Sequence, residues 1–174
     1  MLLLVAILSL FSTPAQAELA EFTTDGCSAF LDHPLLSKSR SWAHCCVTHD
    51  LAYWQGGTLD QRVAADQELF SCVENALGKG HSLPFFIWLG VKMGGSPYGS
   101  YNPFYWRWGY GWSESSYHEL SAEEKLEVAD KLTRVYQSMP RFSTELELTE
   151  IQRLQISTDL YLQIVRYQRP HRIR

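Results

Sequence analysis

His49 and Asp50 stand side by side, with Cys46 three residues before the histidine and Tyr53 four after it. On a helix Cys46, His49, Asp50 and Tyr53 take positions i, i+3, i+4 and i+7 and share a face. A neutral imidazole near pKa 6.5 is suited to accept a proton from water. An adjacent aspartate is a hard oxygen ligand for a cation such as calcium. A general base also needs a group that fixes its tautomer, and Asp66, one helix further on, is placed to do that. Tyr53, one turn after His49, can hold Asp66 through its hydroxyl. A His-Asp pair on a helix is more often ordinary surface or core. The neighbouring Cys45-Cys46 argues otherwise, because two crosslinks just before the histidine would fix it on a rigid element.

Those residues need two packed helices. Ser41 to Gln55 reads as the first, with Ser41 as N-cap and Gly56-Gly57 as its stop. The second runs from about Leu59 to Leu77 and ends at Gly78 and Gly80. The short turn between them predicts antiparallel packing. Val63, Asp66, Phe70 and Val73 are expected along the inner face of the second helix, with Arg62 and Leu69 at its edges. Residues 18–40 form a loop-rich approach, with turn chemistry at Asp25-Gly26-Cys27-Ser28 and a break at Asp32-His33-Pro34.

Beyond the pair, His81 to Met93 predicts a short apolar helix with Pro84 in its first turn. Residues 94–113 are rich in glycine, proline and aromatics and predict irregular chain. Ser121 and Glu124 form a capping-box pair. The helix they open carries Leu126, Ala129, Leu132, Val135 and Tyr136, and Pro140 should end it. A last helix is expected from about Thr144 to Tyr167, with Leu148, Ile151, Leu154, Ile156, Leu160 and Ile164 among its apolar residues. Arg166, Arg169, Arg172 and Arg174 make a basic tail. The fold class is mainly α.

At 174 residues and 45% hydrophobic the chain is one domain with material for a core. A net charge of -4 gives no electrostatic support for nucleic acid as a partner. Leu2 to Phe11 is apolar but too short to span a bilayer, and Ala15-Gln16-Ala17 is a cleavage pattern. Residues 1–17 therefore read as a signal peptide, although no Lys or Arg precedes the apolar stretch. Residues 18–174 form the single mature domain, exported to a periplasm or the medium, with no transmembrane segment. The four cysteines, Cys27, Cys45, Cys46 and Cys72, suit disulfides in such a chain. Cys45 and Cys46 are adjacent and should pair outward, which leaves two pairings open.

Cys45-Cys46-Val47-Thr48-His49-Asp50-Leu51-Ala52-Tyr53 resembles the C-C-x-x-H-D-x-x-Y active-site helix of secreted phospholipases A2. Ala65-Asp66 followed by Cys72 resembles that family's second-helix element, and Asp25-Gly26-Cys27-Ser28 its abbreviated calcium loop in the bacterial and fungal branch. The resemblance covers a core of about residues 24–78. It implies a disulfide-linked antiparallel helix pair and calcium-dependent hydrolysis of a phospholipid sn-2 ester, with a membrane interface as substrate. His49 would activate water, and Asp66 and Tyr53 would support it. Asp50, Asp25 and the Gly26 carbonyl would hold Ca2+. Cys27 would pair with Cys46, and Cys45 with Cys72. A third family cysteine is replaced by Ala52, and residues 29–40 stand where many members carry a long glycine-rich loop. Residues 79–174, the aromatic region and C-terminal helices, lie outside the resemblance.

Three other readings compete. A zinc site could draw on the four cysteines and His49, although adjacent cysteines are poor zinc spacing. A His-Asp metal phosphohydrolase would need further ligands from His33 and His44. A catalytically inactive relative of the phospholipase A2 fold could bind a lipid or partner without turnover. The aromatic segment, with Phe85, Phe86 and Trp88, is either a loop packed over the helix pair or a surface for the membrane–water boundary.

Overall fold

The computed structural model describes residues 17–27, 42–98 and 105–169. The apolar leader Leu2 to Phe11, the Ser41 cap, the loop 29–40 with His33, Tyr101, Phe104 and the last arginines of the tail lie outside these. Among the described residues the chain is α-helical without a strand. The helices are α1 (Ala43–Gln55), α2 (Leu59–Leu77), α3 (Leu83–Gly94), α4 (Ala122–Glu145) and α5 (Glu150–Gln168). Two short 3-10 turns, Trp108–Tyr110 and Trp112–Glu114, connect α3 to α4.

The first helix is the centre of the molecule. Ten of its thirteen residues are buried, so it is enclosed on several sides rather than lying on the surface. Val47, Leu51 and Trp54 join one apolar core with Val128, Leu132 and Val135 of α4 and Ile156, Leu160 and Ile164 of α5. Cys45 and Cys46 join a second with Leu69, Val73 and Ile87 of α2 and α3. Partners across α1 and α2 run in opposite order: Cys45 with Cys72, His49 with Asp66, Tyr53 with Arg62. The pair is antiparallel, as the short turn predicts.

That turn admits only glycine at Gly56. Its φ is +75°, and a Cβ there would lie 2.6 Å from the Arg107 Cβ. Arg107 itself has φ 70° and donates its backbone N–H to the Tyr53 carbonyl at 2.6 Å. The buried Arg107 guanidinium pairs with Glu124, whose other carboxylate oxygen caps the Ser121 N–H at 2.7 Å. The expected Ser121–Glu124 capping box is thus present and also ties the aromatic segment to α4.

Several expectations shift. The inner face of α2 consists of Arg62, Ala65, Asp66, Leu69 and Val73, whereas Val63 is 59% exposed. The cause is the guanidinium: Arg62 finds enough partners to be buried, which rotates the face by about one residue. Pro140 lies inside α4 and does not end it. Met139 and Leu146 are buried on either side of it, so core packing carries the helix past the missing N–H. The last helix begins later than expected, at a Thr149–Gln152 capping box. In α4, Leu126 and Tyr136 are exposed, and Val128 and Met139 take the core positions.

The segment after the expected cleavage point is integrated in the core. Leu19 is fully buried, and its N–H donates to Glu127 at 2.7 Å. No described helix is long and apolar enough to cross a membrane.

Candidate functional site

Two crosslinks fix α1 where the motif begins. Cys27 is bonded to Cys46 and Cys45 to Cys72, with Cα separations of 5.1 and 5.7 Å. No free cysteine remains. This removes the thiolates that a zinc site would need. His44 lies 3.5 Å from both the Cys45 and Cys72 sulfurs and is hydrogen-bonded to Gln152 at 3.0 Å. Its place beside a closed disulfide also disfavours the phosphohydrolase reading, which would need it as a ligand.

His49, Asp66 and Tyr53 meet as the sequence predicts. The His49 Nε2 is 3.0 Å from Asp66 Oδ1, and the Tyr53 hydroxyl donates to the same oxygen at 2.7 Å. An ionised carboxylate can only accept, so the imidazole Nε2 must carry the proton and Nδ1 keeps its lone pair. No described residue bonds Nδ1, and His49 lines a cleft of about 600 Å³. Burial, and then the Asp66 charge, raise the Tyr53 phenol above its ordinary pKa. The phenol therefore remains a donor.

Arg62, expected only at an edge of the α2 face, completes this network. Its Nε donates to the Tyr53 hydroxyl at 3.1 Å, and its Nη2 lies 3.9 Å from Asp66 Oδ2. Other guanidinium hydrogens reach the Tyr117 hydroxyl and the Val91 and Lys92 carbonyls, at 2.7, 3.2 and 2.9 Å. One buried cation thus ties the His-Asp pair to the end of α3 and to the segment before α4. The i, i+4 spacing of Arg62 and Asp66, that of an ion pair on one helix, was the available signal.

The carboxylate of Asp50 points to a different side. The Thr24 hydroxyl donates to it at 2.6 Å and accepts the Gly26 N–H at 3.1 Å. Asp50 is buried, and its pKa is pushed up to about 7, first by burial and then by the neighbouring Asp25 charge, against the Thr24 hydrogen bond. No described Lys or Arg forms an ion pair with it. A buried carboxylate beside a second one, next to a glycine backbone, is a donor set of hard oxygens that fits a divalent cation. Thr24 links the Asp50 carboxylate to the Gly26 N–H, and the Asp25 charge acts on Asp50.

The aromatic segment divides. Trp106 is 1% exposed, packs edge-on against Tyr53 at 5.1 Å and donates to the Gly57 carbonyl at 2.9 Å. Tyr105 and Tyr110 are buried too, so this part is packing over the helix pair. Phe85 and Phe86 on α3, Trp112 and Tyr98 are about half exposed or more.

No protein-family model, curated protein or solved structure matches the chain.

Proposed function

We propose that this chain is an exported, calcium-dependent hydrolase of the phospholipase A2 type, releasing the sn-2 acyl chain of a phospholipid. The observation that carries the reading is the His49–Asp66 pair. It fixes one imidazole nitrogen as donor and leaves the other as proton acceptor, on a histidine that lines a cleft and is followed directly in the chain by the buried carboxylate of Asp50. Two disulfides agree with an oxidising compartment. The exposed Phe85 and Phe86 suit contact with a lipid surface.

The reaction needs no covalent intermediate. His49 Nδ1 takes a proton from water as the oxygen attacks the ester carbonyl carbon. Asp66 holds the imidazole and offsets the charge it gains; Tyr53 donates to Asp66, and Arg62 pairs with Asp66 and donates to the Tyr53 hydroxyl. The imidazolium then gives its proton to the departing glycerol oxygen, leaving a fatty acid and a lysophospholipid. Bound calcium would supply positive charge for the phosphate and the developing oxyanion. Asp50, Asp25 and the Gly26 carbonyl are the residues that would hold it.

The test is the regiochemistry of cleavage. A phosphatidylcholine with different chains at sn-1 and sn-2 should yield only the sn-2 acid by mass spectrometry. Release of the sn-1 acid, or of a phosphorylated head group, would reject the reading.

A further inference from the structure

α5 lies beside α1 in the same chain direction. The Gln152 Nε2 donates to His44 Nδ1 at 3.0 Å, and the Gln163 Nε2 donates to Gln55 Oε1 at 2.6 Å; both contacts span 108 positions. Equal spacing means that the helices run in parallel, pinned near both ends. At about 1.5 Å per residue the pins are about 16 Å apart. His49 falls between them. There α5 stands off from α2, and the cleft of about 600 Å³ opens with His49 among its lining residues.

The lining has a definite chemistry. α5 places Ile156, Leu160 and Ile164 in the core. Ile151 and Leu154 lie off that face, 71% and 54% exposed, and line the cleft. Ala52, Ala65 and Leu69 oppose them from α1 and α2. Large apolar side chains left open to water beside a catalytic base mark a surface that a ligand covers. The charged lining residues are Glu68 and Asp159; among the described residues no Lys or Arg faces this space. An anionic group is disfavoured there, and an uncharged hydrocarbon chain is favoured.

We propose that α5 is the acyl-selecting wall of the site: Ile151 and Leu154 cover the fatty chain of an ester whose carbonyl sits at His49, while Glu68 and Asp159 keep the phosphate away from this end. This rests on His49 being the hydrolytic base. The phosphate is then left to the cation that Asp50, the next residue on α1, would hold. The C-terminal helices would thereby set chain-length preference, although they contribute nothing to the proton transfer.

Two measurements on the full chain test it. The first is kcat/KM on phosphatidylcholines below their micellar concentration, with six- and eight-carbon chains. Leu154 is half exposed, so Leu154→Asp leaves the core intact. It should lower the eight-to-six-carbon ratio by about 10-fold, mainly through KM, since the two extra methylenes in an apolar groove together count for about that much. Equal losses on both substrates, or an unchanged ratio, would overturn the proposal. The second readout needs no turnover. In Ile151→Trp, a bromine-labelled fatty acid should quench the added tryptophan emission beyond the wild-type signal, and adding Leu154→Asp should relieve it. Quenching without hydrolysis of any ester would sink His49 as base and keep the groove's occupant. Hydrolysis without quenching, at an unchanged chain-length ratio, would do the reverse.

Discussion

Replacing Asp50 with asparagine should make the calcium-free protein more stable, not less, above neutral pH. Burial and the Asp25 charge raise the Asp50 carboxyl from an ordinary 3.8 to about 7. The folded state thus binds more protons than the unfolded one between about pH 4 and about pH 7, and stability falls as pH rises through that window. At about 1.4 kcal/mol per pH unit the loss is about 4 kcal/mol, complete above about pH 7. Asparagine keeps an acceptor for Thr24 and never carries the charge. In chelator at pH 8, Asp50→Asn should therefore melt about 10 °C above wild type, and at about pH 4 the two should nearly coincide. Circular dichroism melts at the two pH values measure this. Calcium at about 100 times its Kd should then add about 2.7 kcal/mol to wild type at pH 8 and nothing to the variant. If Asp50→Asn melted lower than wild type at pH 8, or shifted equally at both pH values, the uncompensated buried carboxylate would be refuted. So would the argument that a cation belongs there.

The other predictions concern the frame around the histidine. Cys45→Ala with Cys72→Ala opens a crosslink spanning 27 positions; chemical denaturation should show a loss of about 3.5 kcal/mol. An unchanged midpoint would mean that the bridge adds nothing to the fold. Arg62→Leu leaves a buried carboxylate and two tyrosine hydroxyls short of a partner, and should cost about 3–5 kcal/mol by the same measurement. A cost below about 1 kcal/mol would exclude Arg62 as the anchor of Asp66. Tyr53→Phe removes one of two donors to Asp66 Oδ1. It should lower kcat by about 10-fold with calcium affinity unchanged; a parallel fall in calcium affinity would contradict the separation of the two sides of α1.

The parts of this molecule that were readable from sequence are those set by local rules. Helix α2 was legible from Leu59 to Leu77 because Gly56-Gly57 and Gly78 bracket it, and the Ser121–Glu124 box because capping chemistry is short-range. The His49, Asp66 and Tyr53 cluster was legible because helical spacing puts His49 and Tyr53 on one face, and the turn brings Asp66 opposite. The failures arise where tertiary packing overrules pattern. Pro140 reads as a stop, yet burial of Met139 and Leu146 carries α4 through it. Arg62 reads as an edge residue because nothing in its neighbourhood reveals that Tyr117 and the end of α3 will converge on it. Ile151 and Leu154 read only as apolar residues of the last helix, and the parallel placement of α5 against α1 shows that they face a cleft.

The most direct test of the account is fatty-acid release from mixed phospholipid micelles by wild type with calcium, wild type with chelator, and His49→Asn with calcium. Release is expected in the first case only, with His49→Asn still folded and still binding calcium. Release that survives either chelator or His49→Asn would contradict the mechanism, and no release from any phospholipid by folded, calcium-bound wild type would make the chain a binding protein instead.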